Sequence, residues 1–124
     1  MKLLLDTNVI IDFLKQNSAA VDLSSLFLQH ECFTSVIVKL ELLKYPDITP
    51  DEEHTVLEFL RLVPVISLNE TIENETMALS RATKLKLPDA IIGATAIAYG
   101  AEVVTRDSYF LECQYKKLQI WKGD

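Results

Sequence analysis

Glycine is scarce in this chain, with three among 124 residues, at positions 93, 100 and 123. There is no internal repeat, no low-complexity tract and no Gly/Ser linker, so nothing marks a boundary and residues 1–124 read as a single domain. Cysteine is equally rare: Cys32 and Cys113 stand far apart, without CxxC or Cys/His spacing. That excludes a zinc site of ordinary spacing and a disulfide framework, and leaves reduced cysteines that fill space. His30 and His54 show no paired spacing and are assigned no chemistry. No apolar run approaches the roughly 18 residues of a membrane span. The leucines after Lys2 meet Asp6 too soon for the apolar stretch of a signal peptide. A soluble, cytoplasmic protein without membrane contact is therefore expected. Positive charge is also in deficit, with 12 Lys+Arg against 18 Asp+Glu and a formal net charge of −6. A broad basic footprint for nucleic acid is thereby excluded, and any such contact must be local or metal-assisted.

What the chain does have is apolar residues, 49% of the total, enough at this length to bury one sizeable core. Leu3-Leu4-Leu5 reads as a short buried strand, extended over 2–6, followed by helical patterns over 8–16 and 19–29. Cys32-Phe33-Thr34 is strand-like, and Val36 to Leu43 reads as a helix that stops before Pro46. Thr49-Pro50-Asp51-Glu52 has the spacing of a capping box with proline at the first helical position, and Val56, Phe59, Leu60 and Val63 continue an apolar stripe at helical period. Val65 to Leu68 reads as a strand and Asn69 as the N-cap of a helix to about residue 84. Pro88-Asp89 opens another helix that ends near Gly100, Ala101 to Thr105 forms a strand, and Leu118 to Trp121 reads as a last one. Strands alternating with helices imply an α/β/α domain: a central parallel sheet of about five strands with helices on both faces.

Four carboxylates fall at equivalent junctions of that arrangement. Asp6 follows the first strand, Glu41 lies in the helix after the second, Asp89 opens a helix, and Asp107 follows Val103-Val104. In a parallel sheet these junctions share the carboxyl edge, where α/β proteins hold ligands. Oxygen-only donors gathered there favour a hard cation, Mg²⁺ or Mn²⁺, and without one their mutual repulsion raises one or more pKa values. A divalent ion can orient a water, lower its pKa and stabilise charge on a phosphate.

Each acid also has an ordinary reading. Asp6 and Asp107 suit a cap and a turn, and Asp89 suits the positive end of a helix dipole. Glu41 is harder to explain as a solvated residue, because its helix is apolar nearly all round, although Lys39 on the same helix leaves room for an internal pair or a partner-facing surface. Around the acids, Asn8 can orient Asp6, while Thr7, Ser35 and Thr105 can donate to carboxylate or phosphate; each also suits a structural cap. Arg106, Arg81, Lys84 and Lys86 supply cations beside the proposed site, or complement a helix end. Ile92, Gly93 and Ala96 share a face on which small residues admit a ligand or another backbone.

These residues carry a family resemblance. The motifs Leu5-Asp6-Thr7-Asn8-Val9-Ile10, Ser35 to Leu42 with Glu41, Leu87-Pro88-Asp89-Ala90-Ile91-Ile92-Gly93-Ala94-Thr95-Ala96, and Val103-Val104-Thr105-Arg106-Asp107 with Phe110 resemble those of PIN-domain ribonucleases of the VapC toxin type. The resemblance covers almost the whole chain. It implies that Asp6, Glu41, Asp89 and Asp107 bind Mg²⁺ or Mn²⁺ and hydrolyse an RNA phosphodiester. It also implies an antitoxin whose basic tail enters the acidic cleft, an apolar groove for it around residues 9–14 and 36–43, and a homodimer. One departure stands out: many relatives carry a second acid directly before the aromatic that matches Phe110, and here that position is Tyr109.

Two other readings remain. A haloacid-dehalogenase-type phosphotransferase also starts with an aspartate after a buried strand, but expects a second aspartate where this chain has Asn8. A catalytically inert PIN-like module that binds RNA or a partner would keep the fold without the chemistry.

Overall fold

The computed structural model describes residues 1–16 and 21–123. The chain runs β1 (Lys2–Leu5), α1 (Thr7–Leu14), α2 (Leu23–Gln29), β2 (Glu31–Ser35), α3 (Val36–Leu43), α4 (Pro50–Leu62), β3 (Val65–Ile66), α5 (Glu70–Ala82), α6 (Leu87–Tyr99), β4 (Glu102–Val104) and α7 (Ser108–Leu111). The strands form one parallel sheet in the order β3-β2-β1-β4. β1 is central, and Leu3, Leu4 and Leu5 are fully buried, as a strand covered on both faces requires. Because every strand is parallel, the carboxyl ends of β1, β2 and β4 emerge along one edge.

The elements match the sequence expectation with shifts at their ends. The capping box at Thr49 forms in full, and Asn69 caps α5 through Ile72 N–H. Gly100 closes α6 with φ of 66°, a left-handed conformation that glycine adopts without strain. The helix expected over 19–29 begins, as described, at Leu23; positions 19 and 20 lie outside the described residues. The last expected strand is reduced to a single bridge, Val103 to Ile120, so the sheet has four strands. Residues 108–111, which carry no local helical signal beyond Asp107, form the short α7.

The small-residue face of α6 requires a correction. Gly93 does not open onto a ligand: a Cβ there would meet Leu79 Cδ2 at 2.9 Å, Leu118 Cδ1 at 3.4 Å and Phe110 Cε1 at 3.5 Å. Ile92, Gly93, Ala94 and Ala96 are buried, so α6 is a core helix, and its missing side chain admits Leu79 of α5. Dense packing leaves no spare volume there.

Candidate active site

At the end of β1 the backbone of Asp6 is still tied to the sheet, its N–H donating to Val104 O at 3.0 Å. Its extended φ and ψ make it the N-cap of α1, and Oδ1 accepts from Thr7 N–H at 2.7 Å. Oδ2 accepts from the Thr105 hydroxyl at 2.7 Å and from Asn8 Nδ2 at 3.1 Å. The three donors are neutral, and the residue is 3% exposed. Burial pushes its pKa up, the hydrogen bonds from Thr105 and Thr7 oppose that rise, and the charges of Glu41 and Asp107 add to it.

Thr7 links the first acid to the second. Its hydroxyl donates to Glu41 Oε1 at 2.6 Å, joining the start of α1 to α3. Glu41 is half-buried, as its apolar helix foretells. Asp89 sits in the first turn of α6, half-buried, and its pKa is raised to about 6. Burial is the largest cause, followed by the charges of Asp6, Asp107 and Glu41, with Lys86 opposing. Asp107 caps α7 by accepting from Tyr109 N–H at 2.9 Å, and its own N–H donates to Thr105 Oγ1 at 3.0 Å. The four acids thus lie in one another's field, on elements far apart in sequence.

Asn8 and Thr105 hold the first and last of these segments together. Asn8 Nδ2 also donates to Thr105 Oγ1 at 3.3 Å, and its Oδ1 accepts from Arg106 N–H at 3.1 Å. Arg106 then reaches Asp12 on α1, with Nε to Oδ2 at 2.6 Å and a second nitrogen to Oδ1 at 3.2 Å. The guanidinium is therefore paired, and it draws the Asp12 carboxyl below its ordinary pKa. Asp12 is a member of this network that sequence reasoning missed. The signal was present, since Asn8 and Asp12 are four apart and share a helix face.

Ser35 is fully buried, and its Oγ accepts from Ile37 N–H at 3.1 Å, so it serves as the cap of α3, the structural role that its residue type also suits. Among the expected cations, Lys86 acts on Asp89. Arg81 lies in the last turn of α5 and Lys84 just beyond it, both exposed.

Among the described residues no three His, Cys, Asp or Glu side chains are grouped closely enough to hold a metal ion by themselves. The donors nevertheless fit a hard cation in type and charge. All are carboxylates, and their mutual repulsion lifts Asp89 in the way that a nearby positive charge would relieve. A hydrated Mg²⁺, which keeps several waters and takes few carboxylates directly, suits acids set around a rim rather than closed into a cage.

Residues 3–114 match the PIN domain. The chain belongs to the PIN-domain family. No curated protein matches it by sequence. Among solved structures, this PIN domain is similar to VapBC2 from Rickettsia felis bound to a DNA fragment from their promoter, at TM-score 0.82 and 20% identity over 100% of both chains. It is similar to a toxin-antitoxin complex from Klebsiella pneumoniae at TM-score 0.75 and 28% identity, covering 95% of this chain and 99% of that one. VapBC-1 from nontypeable Haemophilus influenzae gives TM-score 0.80 and 21% identity over 98% and 97% of the two chains. The PIN assignment removes the haloacid-dehalogenase reading, and Asn8 stands in this PIN domain as a positioning amide.

Proposed function

We propose that this PIN domain is a metal-dependent endoribonuclease, the toxin of a VapBC-type toxin–antitoxin pair acting in the cytoplasm. The observation that carries the reading is Asp89, a helix-opening carboxyl raised to about 6 by burial and by Asp6, Asp107 and Glu41 from three other segments. Such crowding is costly for the folded chain and serves a cationic ligand.

Asp6, Glu41, Asp89 and Asp107 would hold Mg²⁺ or Mn²⁺. The bound ion supplies a water of lowered pKa and neutralises charge on the phosphate. The chain's own contribution is placement. Thr105, Asn8 and the Thr7 N–H direct three hydrogen bonds at Asp6, which fix that carboxyl in orientation, and those from Thr105 and Thr7 oppose the upward push of burial on its pKa. Thr7 aligns Glu41 in the same way. Substrate is expected to be single-stranded or looped RNA, whose backbone a rim of this kind can approach without entering a duplex groove.

An antitoxin with a basic tail complements the net charge of −6. A cavity of about 490 Å³, with Ile11, Leu14, Leu42, Ile48 and Val56 as its apolar wall and Asp47 and Glu52 among its polar lining, suits a partner segment that carries both apolar and basic residues. The solved relatives include a toxin-antitoxin complex and VapBC structures, which supports that pairing, and a homodimer is part of the same reading.

Mixing the purified chain with labelled single-stranded RNA tests the reading. Cleavage should require Mg²⁺ or Mn²⁺, stop on chelation, and vanish in Asp6→Asn and Asp89→Asn proteins that remain folded. Cleavage that survives either substitution removes the nuclease assignment. RNA binding without any cleavage would favour the inert module.

A further inference from the structure

A second concavity, of about 290 Å³, lies between the end of α5 and α7. Its walls are the two chain segments that deliver acids to the rim. Leu85 on one side is four residues before Asp89, and Tyr109 on the other donates its N–H to Asp107. We propose that this cavity, lined by Tyr109, Lys84 and Gln114, is a nucleobase subsite that holds one base of single-stranded RNA beside the scissile phosphate. The inference rests on the nuclease reading for its substrate, and it assigns that substrate a specific foothold.

Three features select a base. Tyr109 is 64% exposed, and among the described residues its ring pairs with no other aromatic ring and no cation, so a large π-face is open beside the site. Nucleic-acid bases stack on such faces, and the open ring is otherwise unfavourable in water. Leu85 is buried and offers the cavity an apolar wall, while the Gln114 amide and the Glu112 carboxylate offer both donor and acceptor groups to a base edge. Lys84 is exposed and makes no ion pair among the described residues. In a chain of net charge −6, this unpaired cation on the cavity wall relieves repulsion toward an incoming phosphate. The volume is at the small end for a ligand pocket, enough for one planar ring system and too small for a folded peptide segment.

The test measures binding of fluorescent oligo(A) and oligo(U) ribonucleotides to Asp89→Asn protein, and kcat/KM for cleavage by protein that retains Asp89. Tyr109→Ala should weaken binding about tenfold, the scale of one lost stacking contact, and raise KM more than it lowers kcat. Tyr109→Phe should restore both, and the melting temperature should not move because the ring is exposed. In a Cys32→Ser background, bound oligonucleotide should slow alkylation of Cys113, which lines the same cavity. Tyr109→Ala protein that binds and cleaves like its parent, or Cys113 that reacts equally with and without RNA, overturns the subsite and leaves the nuclease intact. Tyr109-dependent binding with no cleavage by any form removes the nuclease and leaves the subsite. Protection of Cys113 by a basic peptide, and by neither oligonucleotide, assigns the cavity to a protein and also overturns the proposal.

Discussion

Two strand-to-helix junctions stand side by side at the carboxyl edge of the sheet, one after β1 and one after β2. Each places a nearly or fully buried polar residue as N-cap, Asp6 for α1 and Ser35 for α3. The backbone device is the same: an extended residue whose side chain accepts one of the orphan N–H groups of the helix that follows. Ser35 does this with a neutral hydroxyl and one hydrogen bond. Asp6 does it with a charge, gathers two more donors from Asn8 and Thr105, and still has its pKa pushed up by burial. Capping therefore does not account for the carboxylate at Asp6. The excess charge, and the network that holds it, are what the proposed nuclease reading explains.

The sharpest way to break this comparison is Asp6→Asn, which keeps an excellent cap, removes the charge and turns the oxygen that faces Asn8 and Thr105 into an amide donor. Cleavage of RNA should fall on the order of 10²-fold or more, the scale for losing a preorganised electrostatic group, while the protein stays folded and its melting temperature falls only by the few degrees that a lost hydrogen bond costs. The mirror experiment is Ser35→Asp, which buries a charge at a junction furnished for a hydroxyl. It should cost about 3 kcal/mol in chemical denaturation, because only the cap N–H is there to offset desolvation.

A pH titration of stability comes next. With Asp89 near 6 in the folded chain against an ordinary 3.8, the folded state retains a proton that the unfolded state has released between those values. Stability should therefore fall as pH rises from about 4 through about 6, by a few degrees in melting temperature measured in chelator. Asp89→Asn should flatten that slope, and added Mg²⁺ should offset the loss at neutral pH. Smaller still is Ser35→Ala, expected to destabilise by about 1 kcal/mol through the lost cap, with cleavage per folded molecule unchanged. The smallest effect belongs to Asp12→Ala. The melting temperature should move little because the Arg106 side of the pair is open to solvent. RNA cleavage should drop several-fold as the segment bearing Thr105 and Asp107 loosens, and the exchange of the two charges should recover part of it.

How much of this was legible depends on how local each cause is. The capping box at Thr49, the cap at Asn69 and the stop at Gly100 are written within a few residues and appear where expected. The four acids were legible because a parallel sheet brings strand ends to one edge whatever the details of packing. Gly93 was misread, since its neighbours Leu79, Phe110 and Leu118 come from separate segments and convert an apparent ligand face into core. Ser35 was placed with the supporting polar residues, although its own helix uses it. Arg106 looked like a free cation until the fold brought Asp12 within 2.6 Å of it. The strand expected at 118–121 shrank to one bridge, in which Val103 N–H donates to Gln119 O and Trp121 N–H to Val103 O, both at 2.9 Å.

By itself, the sequence determined that this is an α/β chain with its acids at strand ends, because periodicity, caps and turn residues act over short distances and leave their marks in order along the chain. It was left to the tertiary structure to decide which side chains share an electrostatic field, which polar groups serve caps instead, and which cations are already paired. Those outcomes depend on separations through space between residues up to 99 positions apart, as in the bond from Thr105 to Asp6, and on the loss of water around them. Neither quantity is written in any short stretch of residues.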